Sequence, residues 1–218
     1  MQAIFEEAFK FAFKDRNWIL KILIGGVLGL IPIVNLIFVI GYSFAVLKDS
    51  VDNKPATLPE WTDWAQIGRN GLYGLLVMVA YMVLPIMFLN ALSGIPGLGK
   101  AFYVLMYLVH LVTFPLYTLA MIAWYRKGTY SAAFAWKELW QAFAKNAQNY
   151  MIATLVLTLI PLLVSVILHF SGYAIFTYRS PFVLFPGAFI QLVLWCLWFW
   201  LAFVSARVLG QMVSISQK

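Results

Sequence analysis

Five long apolar runs constrain the fold of this chain more than any other feature. The chain is 63% hydrophobic and 11% charged, whereas globular proteins average about 45–50% and about 25%. Too few charges remain to cover a surface that faces water. A bilayer core of about 30 Å requires about 20 helical residues, so each of the last four runs fits one crossing. We expect an all-α integral membrane protein whose residues 1–218 form a single membrane domain. The runs cover residues 18–47, 72–92, 101–125, 151–170 and 182–209.

The first run is too long for one crossing, because its helix would measure about 45 Å. Pro32 lies at its centre and removes a helical hydrogen-bond donor, which predicts a break. Short cytoplasmic loops collect lysine and arginine. A hairpin with both ends inside leaves only Lys100 and Arg179 outside among the 15 bases, which is a more uneven division than any single crossing gives. We therefore expect a broken or re-entrant hairpin over residues 18–47, with both chain termini in the cytoplasm.

Two polar segments have the pattern of amphipathic helices on the cytoplasmic membrane surface. In residues 1–17 an apolar face carries Phe5, Phe9, Ala12 and Phe13. In residues 131–149 tryptophan, leucine and phenylalanine oppose lysine and glutamine. Basic, aromatic-bearing helices beside membrane spans commonly lie in the headgroup plane. Residues 48–71 are also expected at this interface.

The most distinctive motif follows the hairpin. It comprises Gly41-Tyr42, Leu58-Pro59-Glu60-Trp61, Asp63-Trp64 and Gly71, preceded by the run Trp18 to Gly26 and by Ile31-Pro32. Over residues 14–90 the pattern resembles the prokaryotic family known as domain of unknown function 4013. The resemblance implies a multi-pass protein of the bacterial or archaeal cell (inner) membrane and implies no activity.

The motif also has a physical interpretation as an interfacial anchor. Pro59 can occupy the first turn of a helix, where acidic side chains are favoured by the helix dipole. Tryptophan prefers the depth of the lipid headgroups. The alternative is a docking or gating lid over the hairpin. The proposed anchor residues are Leu58, Pro59, Trp61, Asp63 and Trp64.

Polar groups inside the runs are few. No acidic residue lies in any of them, which disfavours an ion-coupled transporter. No recognisable catalytic or phosphate-binding motif occurs, so we expect a protein that is not an enzyme and has no cofactor or metal. His110 and Gln191 are the intramembrane polar candidates, and hydrogen bonding within the bundle is their simplest role. Pro85, Pro115 and Pro161 are expected to kink their helices and could shape a cavity.

Tryptophan is unusually deep in the last run. Trp195 and Trp198, with Phe199, form an aromatic surface at membrane depth, and buried indole N–H groups need acceptors. A partner or ligand could cover this surface, or a tilted helix could present it to lipid.

Two classes of function remain open. The preferred one is an accessory or scaffold subunit of a membrane complex, which would bind other membrane subunits as well as the lipid bilayer. The alternative is a small transporter or lipid-handling protein, in which the kinked helices and the hairpin would enclose a passage and an apolar ligand could bind. A water-filled cavity that reaches His110 and Gln191 would favour the alternative, and a sealed bundle with an aromatic flank would favour the accessory role. Nucleic acid is not an expected partner, because the bases lie beside apolar runs.

Overall fold

The computed structural model describes residues 2–54, 57–94, 99–178 and 181–215, and every regular element in these ranges is helical. A 3₁₀ turn at Phe11–Lys14 follows α1, a π-helical turn at Val79–Val83 joins α4 to α5, and a second 3₁₀ turn at Tyr130–Phe134 precedes α7. Arg179 and Lys218, which are among the 15 bases counted above, lie outside the described residues, as does Met1 at the N-terminus that we expect in the cytoplasm. The α-helices are α1 (Gln2–Lys10), α2 (Trp18–Gly29), α3 (Val34–Val51), α4 (Trp64–Met78), α5 (Leu84–Leu92), α6 (Gly99–Lys127), α7 (Trp136–Ala144), α8 (Ala147–Tyr178) and α9 (Pro181–Ile215).

Five helices in the described residues are long and apolar enough to cross a membrane, which fits a multi-pass membrane protein. This is one more than the four full crossings that the sequence predicts, because α3, the second arm of the hairpin, has 18 residues and is also long enough. The four later runs lie in the segment from α4 to α5, in α6, in α8 and in α9, and these helices extend beyond the predicted ranges. The clearest extension is Trp64–Leu92, which takes in the end of the segment that the sequence assigned to the interface. The five are Val34–Val51, Trp64–Leu92, Val104–Lys127, Ala147–Phe170 and Phe185–Ile215.

The predicted break in the first run is confirmed. Helix α2 ends at Gly29, and α3 begins at Val34 after a turn in which Ile33 has a φ of 68°. With 12 residues, α2 is about 18 Å long, which is short of the bilayer core. It packs against α9, where Gly25 faces Phe199 and Gly29 faces Trp195.

Helix α3 lies at the centre of the bundle, between α4 and α9. Its backbone approaches α4 so closely that a Cβ on Gly41 would collide with the carbonyl oxygen of Ile67, and one on Gly71 with that of Ile37. Gly210 meets Ser50 in the same way where α9 crosses α3. Small residues therefore set the distances within this core.

The N-terminal segment is helical, but its predicted apolar face needs correction. Ala8, Phe11 and Ala12 are buried, whereas Phe13 is 51% exposed. The 3₁₀ turn has 3.0 residues per turn in place of 3.6, so it rotates the side chains relative to the predicted face. The segment packs on α9, where Glu7 pairs with the buried Arg207 at 3.0 Å.

The second amphipathic helix is shorter than predicted. The expected residues 131–149 divide into the 3₁₀ turn, α7 and the first residues of α8. Leu139 and Phe143 of α7 are buried, and Trp136 and Trp140 are each 53% exposed. The exposed indoles fit the predicted headgroup position.

Candidate functional site

The distinctive motif is held by a buried lysine on α2. The side chain of Lys21 is 3% exposed and donates hydrogen bonds to the Asp15 carboxylate at 2.8 Å, to the Leu58 carbonyl at 2.9 Å and to the Glu60 carboxylate at 2.5 Å. A buried ammonium is tolerated only when it is paired in this way. The motif is therefore fastened to the start of the hairpin.

Three further hydrogen bonds hold the motif through its backbone and through the Trp61 indole. The Tyr42 hydroxyl donates to the Pro59 carbonyl at 2.8 Å, and the Trp61 indole N–H donates to the Lys21 carbonyl at 3.1 Å. The Leu58 N–H donates to Asp15 at 3.2 Å. Tyr42 of the family pattern thus contacts the later part of that pattern directly.

The five anchor residues differ in their surroundings. Leu58 and Trp61 are 3% and 8% exposed, so the protein itself covers them, and the Trp61 ring stacks on Tyr42 at 4.5 Å. Trp64 is 41% exposed and retains surface for lipid headgroups. Pro59 does not start a helix, because α4 begins at Trp64 with Asp63 as its N-cap. The interfacial role of the segment stays a prediction.

The charge of Asp15 depends on these contacts. Burial by itself would raise the pKa of Asp15. Hydrogen bonds from Lys21 and from the backbone N–H groups of Asn17 and Leu58, together with the Lys21 charge, outweigh burial and hold the pKa below its usual value. The carboxylate is therefore ionised at neutral pH, and the pair with Lys21 is intact.

A second feature is an apolar cavity of about 780 Å³ between α6 and the body formed by α3, α8 and α9. Tyr107 of α6 and Leu159 of α8 both line it and are 66% and 52% exposed, so it opens between these two helices within their apolar spans. Ligand-binding cavities commonly measure about 300–1,000 Å³. This volume lies within that range and is sufficient for a single-chain amphiphile.

The cavity reaches His110 but not Gln191 among its described lining residues. The His110 ring packs on Phe114 with centroids 5.7 Å apart. Gln191 donates to the Leu168 carbonyl at 2.9 Å and so joins α9 to α8, as the simplest interpretation predicted. Of the two polar candidates, only His110 is placed to meet a ligand.

The deep aromatic residues divide between two surroundings. Phe199 is 1% exposed and lies against Gly25 and Tyr42, so α2 and α3 of the same chain cover it. Trp195 lies against Gly29. Trp198 is half-buried and lines the cavity, which leaves the ligand alternative open for this residue.

Helix irregularities surround the cavity. Pro161 lines it, as do residues directly beside Pro115 and Pro85. The π-helical turn Val79–Val83 also contributes a lining residue, Met82, and such turns are frequent at functional sites. The predicted connection between the three prolines and a cavity agrees with this arrangement.

The sequence did not predict the burial of Lys21 or the state of Ser43. The Ser43 hydroxyl is one of five side-chain polar groups that are buried without a hydrogen-bond partner in the described residues. A lysine three residues into an apolar run could have signalled the first. Nothing in the sequence marks Ser43. Among the described residues no group of three or more metal-binding side chains occurs.

Comparisons with known proteins identify the family alone. No curated protein and no solved structure matches the chain significantly. The family model described as "Protein of unknown function (DUF4013)" matches residues 24–173. The match begins at residue 24, after the start of the recognised pattern at residue 14, and extends well beyond its end at residue 90. It covers the segment from Gly41 to Gly71, His110 and all three prolines. The chain therefore belongs to the DUF4013 family.

Proposed function

We propose that this protein binds a lipid-like apolar molecule in the cavity between α6 and α8. The observation that carries the proposal is a cavity of about 780 Å³ that opens between the apolar spans of α6 and α8. On this account the protein handles a membrane-soluble molecule by binding it and performs no chemistry on it. Its setting is the prokaryotic cell membrane, with both termini cytoplasmic.

The lining supports an apolar occupant rather than water or an ion. Leucine, methionine and aromatic side chains dominate it, and no Asp, Glu, Lys or Arg is among its described residues. Water and ions need several polar partners in a buried site. Lipid chains need none, and they can enter laterally through the opening.

An accessory or scaffold role is the second candidate. It is favoured by the outer surface of α5 and α8, where Met87, Phe88 and Leu163 are 62%, 65% and 64% exposed. Lipid contact accounts for the same exposure, so this surface supports a partner subunit less strongly than the cavity supports a ligand.

Closing the mouth of the cavity tests the proposal. Leu159→Trp places a larger side chain at the opening, and Leu163→Trp adds the same group elsewhere on α8, outside the described lining. Native mass spectrometry after purification in mild detergent should detect an apolar molecule bound to the wild type and to Leu163→Trp, with occupancy reduced at least threefold in Leu159→Trp. Equal occupancy in all three proteins, or the absence of any bound apolar molecule from the wild type, would refute the proposal.

A further inference from the structure

We propose that the cavity selects an uncharged long-chain amphiphile whose hydroxyl or carbonyl oxygen hydrogen-bonds to Ser43. This inference rests on the proposed function and adds the chemical class of the ligand and the position of its polar head.

The serine and threonine hydroxyls on the cavity lining are not all in the same state. Four of the five serine and threonine side chains on its described lining donate to the carbonyl four residues earlier in their own helix, which is a common arrangement. Ser43 differs, because its hydroxyl oxygen is buried and has no partner in the described residues. Buried polar groups are ordinarily hydrogen-bonded. Ser43 lines the cavity, so rotation about its Cα–Cβ bond to another staggered position can turn the hydroxyl to a ligand oxygen, which would satisfy it. The four satisfied hydroxyls are those of Thr118, Thr158, Ser165 and Ser205, at 3.2, 2.8, 2.8 and 2.8 Å.

The lining of the cavity favours an uncharged ligand head over a charged one. A phosphate, carboxylate or ammonium head inside the cavity would need an opposite charge or several hydrogen bonds to replace its water. The described lining holds no Asp, Glu, Lys or Arg. A head with a hydroxyl or carbonyl oxygen needs only one or two hydrogen bonds, which Ser43 can supply as donor or acceptor.

The cavity extends along both α3 and α6. Ser43 adjoins Phe44, whose ring stacks on Trp124 of α6 at 4.7 Å. His110 lies 14 positions earlier in α6, roughly 20 Å along its axis. The cavity therefore extends from the level of Ser43 and Leu47 on α3 to His110, deep within the α6 span. A head at Ser43 directs its alkyl chain along α6 toward His110.

A series of photoactivatable probes tests the inference on the full chain in nanodiscs. Four probes share one 18-carbon chain with a diazirine beside the head position, and the head is a hydroxyl, a carboxylate, a trimethylammonium or absent. The alcohol should label peptides of α3 and α6 that line the cavity near Ser43. Labelling there by the two charged probes should be at least fivefold weaker, because their heads remain at the membrane surface.

Matched serine variants locate the head. Ser43→Ala should reduce cavity labelling by the alcohol about fivefold, to the level of the alkane, since one neutral hydrogen bond is lost. Ser165→Ala should leave it unchanged, because that hydroxyl already bonds its own helix. The melting temperature of each variant is measured alongside, and the probe series on the wild type stands without either variant.

The outcomes separate the two proposals. Labelling of the cavity by the alkane without preference for the alcohol, equal labelling by a charged probe, or full labelling of a stably folded Ser43→Ala would overturn this inference and leave the proposed function standing. Failure of all four probes to label the cavity would overturn the proposed function itself.

Discussion

At the scale of single residues, Lys21 illustrates how an apolar run accommodates a charge. It lies three residues inside the first run, yet its ammonium contacts Asp15, Glu60 and the Leu58 carbonyl. The three partners come from both sides of the hairpin. One side chain thus connects the N-terminal segment, α2 and the family motif. The loss of any one partner should therefore destabilise the packing of all three segments.

The Asp15 contact should make stability depend on pH. Asp15 has a folded pKa below its ordinary value of 3.8, so its stabilising contribution is full above that value and is lost as the pH falls through the folded pKa. Asp15→Asn removes the charge at every pH. Its melting temperature in detergent should lie below that of the wild type at pH 7, and the difference should shrink below about pH 4. A difference that stays constant down to pH 3 would show that the charge of Asp15 contributes nothing.

At the scale of helices, glycine decides how closely α3 and α4 approach. Gly71 meets the Ile37 carbonyl, whereas a Cβ on Gly68 would lie 3.7 Å from the Phe38 ring, an ordinary contact. The two glycines occupy neighbouring turns of the same helix, so they form a matched pair.

Alanine substitution should separate the two positions. Gly71→Ala should lower the free energy of unfolding by about 1–3 kcal/mol through overpacking, because a backbone carbonyl cannot move aside cheaply. Gly68→Ala should be neutral or stabilising by up to about 1 kcal/mol, through helix propensity. Unfolding in a denaturing detergent measures both. Equal effects at the two positions would argue against the close crossing.

The helices themselves are largely predictable from the sequence, and the contacts between them are not. Pro32 correctly predicted the break in the hairpin, because a proline in a helix interior removes a backbone hydrogen bond wherever it occurs. The burial of Phe11 was not predicted. It depends on a 3₁₀ turn, and the amino-acid sequence of this turn does not differ recognisably from that of an α-helix. The prolines suggested a cavity, but its position and its lining were not predictable, because it lies between α6 and helices from other parts of the chain.

At the scale of the whole molecule, the direction of the hairpin determines the topology. Helix α2 is too short to cross, and α3 and α9 end together, where Ser214 donates to Asn53 at 2.9 Å. Both ends of the hairpin and the end of α9 should therefore face the same side, which the charge distribution predicts to be the cytoplasm.

Cysteine labelling tests this topology in a Cys196→Ala background, which removes the native thiol. Asp52→Cys is suitable because position 52 is exposed, whereas Ser50 is 1% exposed. A membrane-impermeant maleimide should modify Asp52→Cys only in inverted vesicles and Gly94→Cys only in right-side-out vesicles. Modification of Asp52→Cys from outside would refute the hairpin.

The central claim is that an apolar molecule occupies the cavity from the membrane, and Trp198 on the lining allows a direct measurement. Bromine atoms quench tryptophan fluorescence on contact, so dibromo-octadecane added to the protein in nanodiscs reports occupancy. We predict a saturable component of quenching in the wild type that disappears in Trp198→Phe. Quenching that rises without saturation, and equally in both proteins, would mean that Trp198 meets only bulk lipid and would contradict the account.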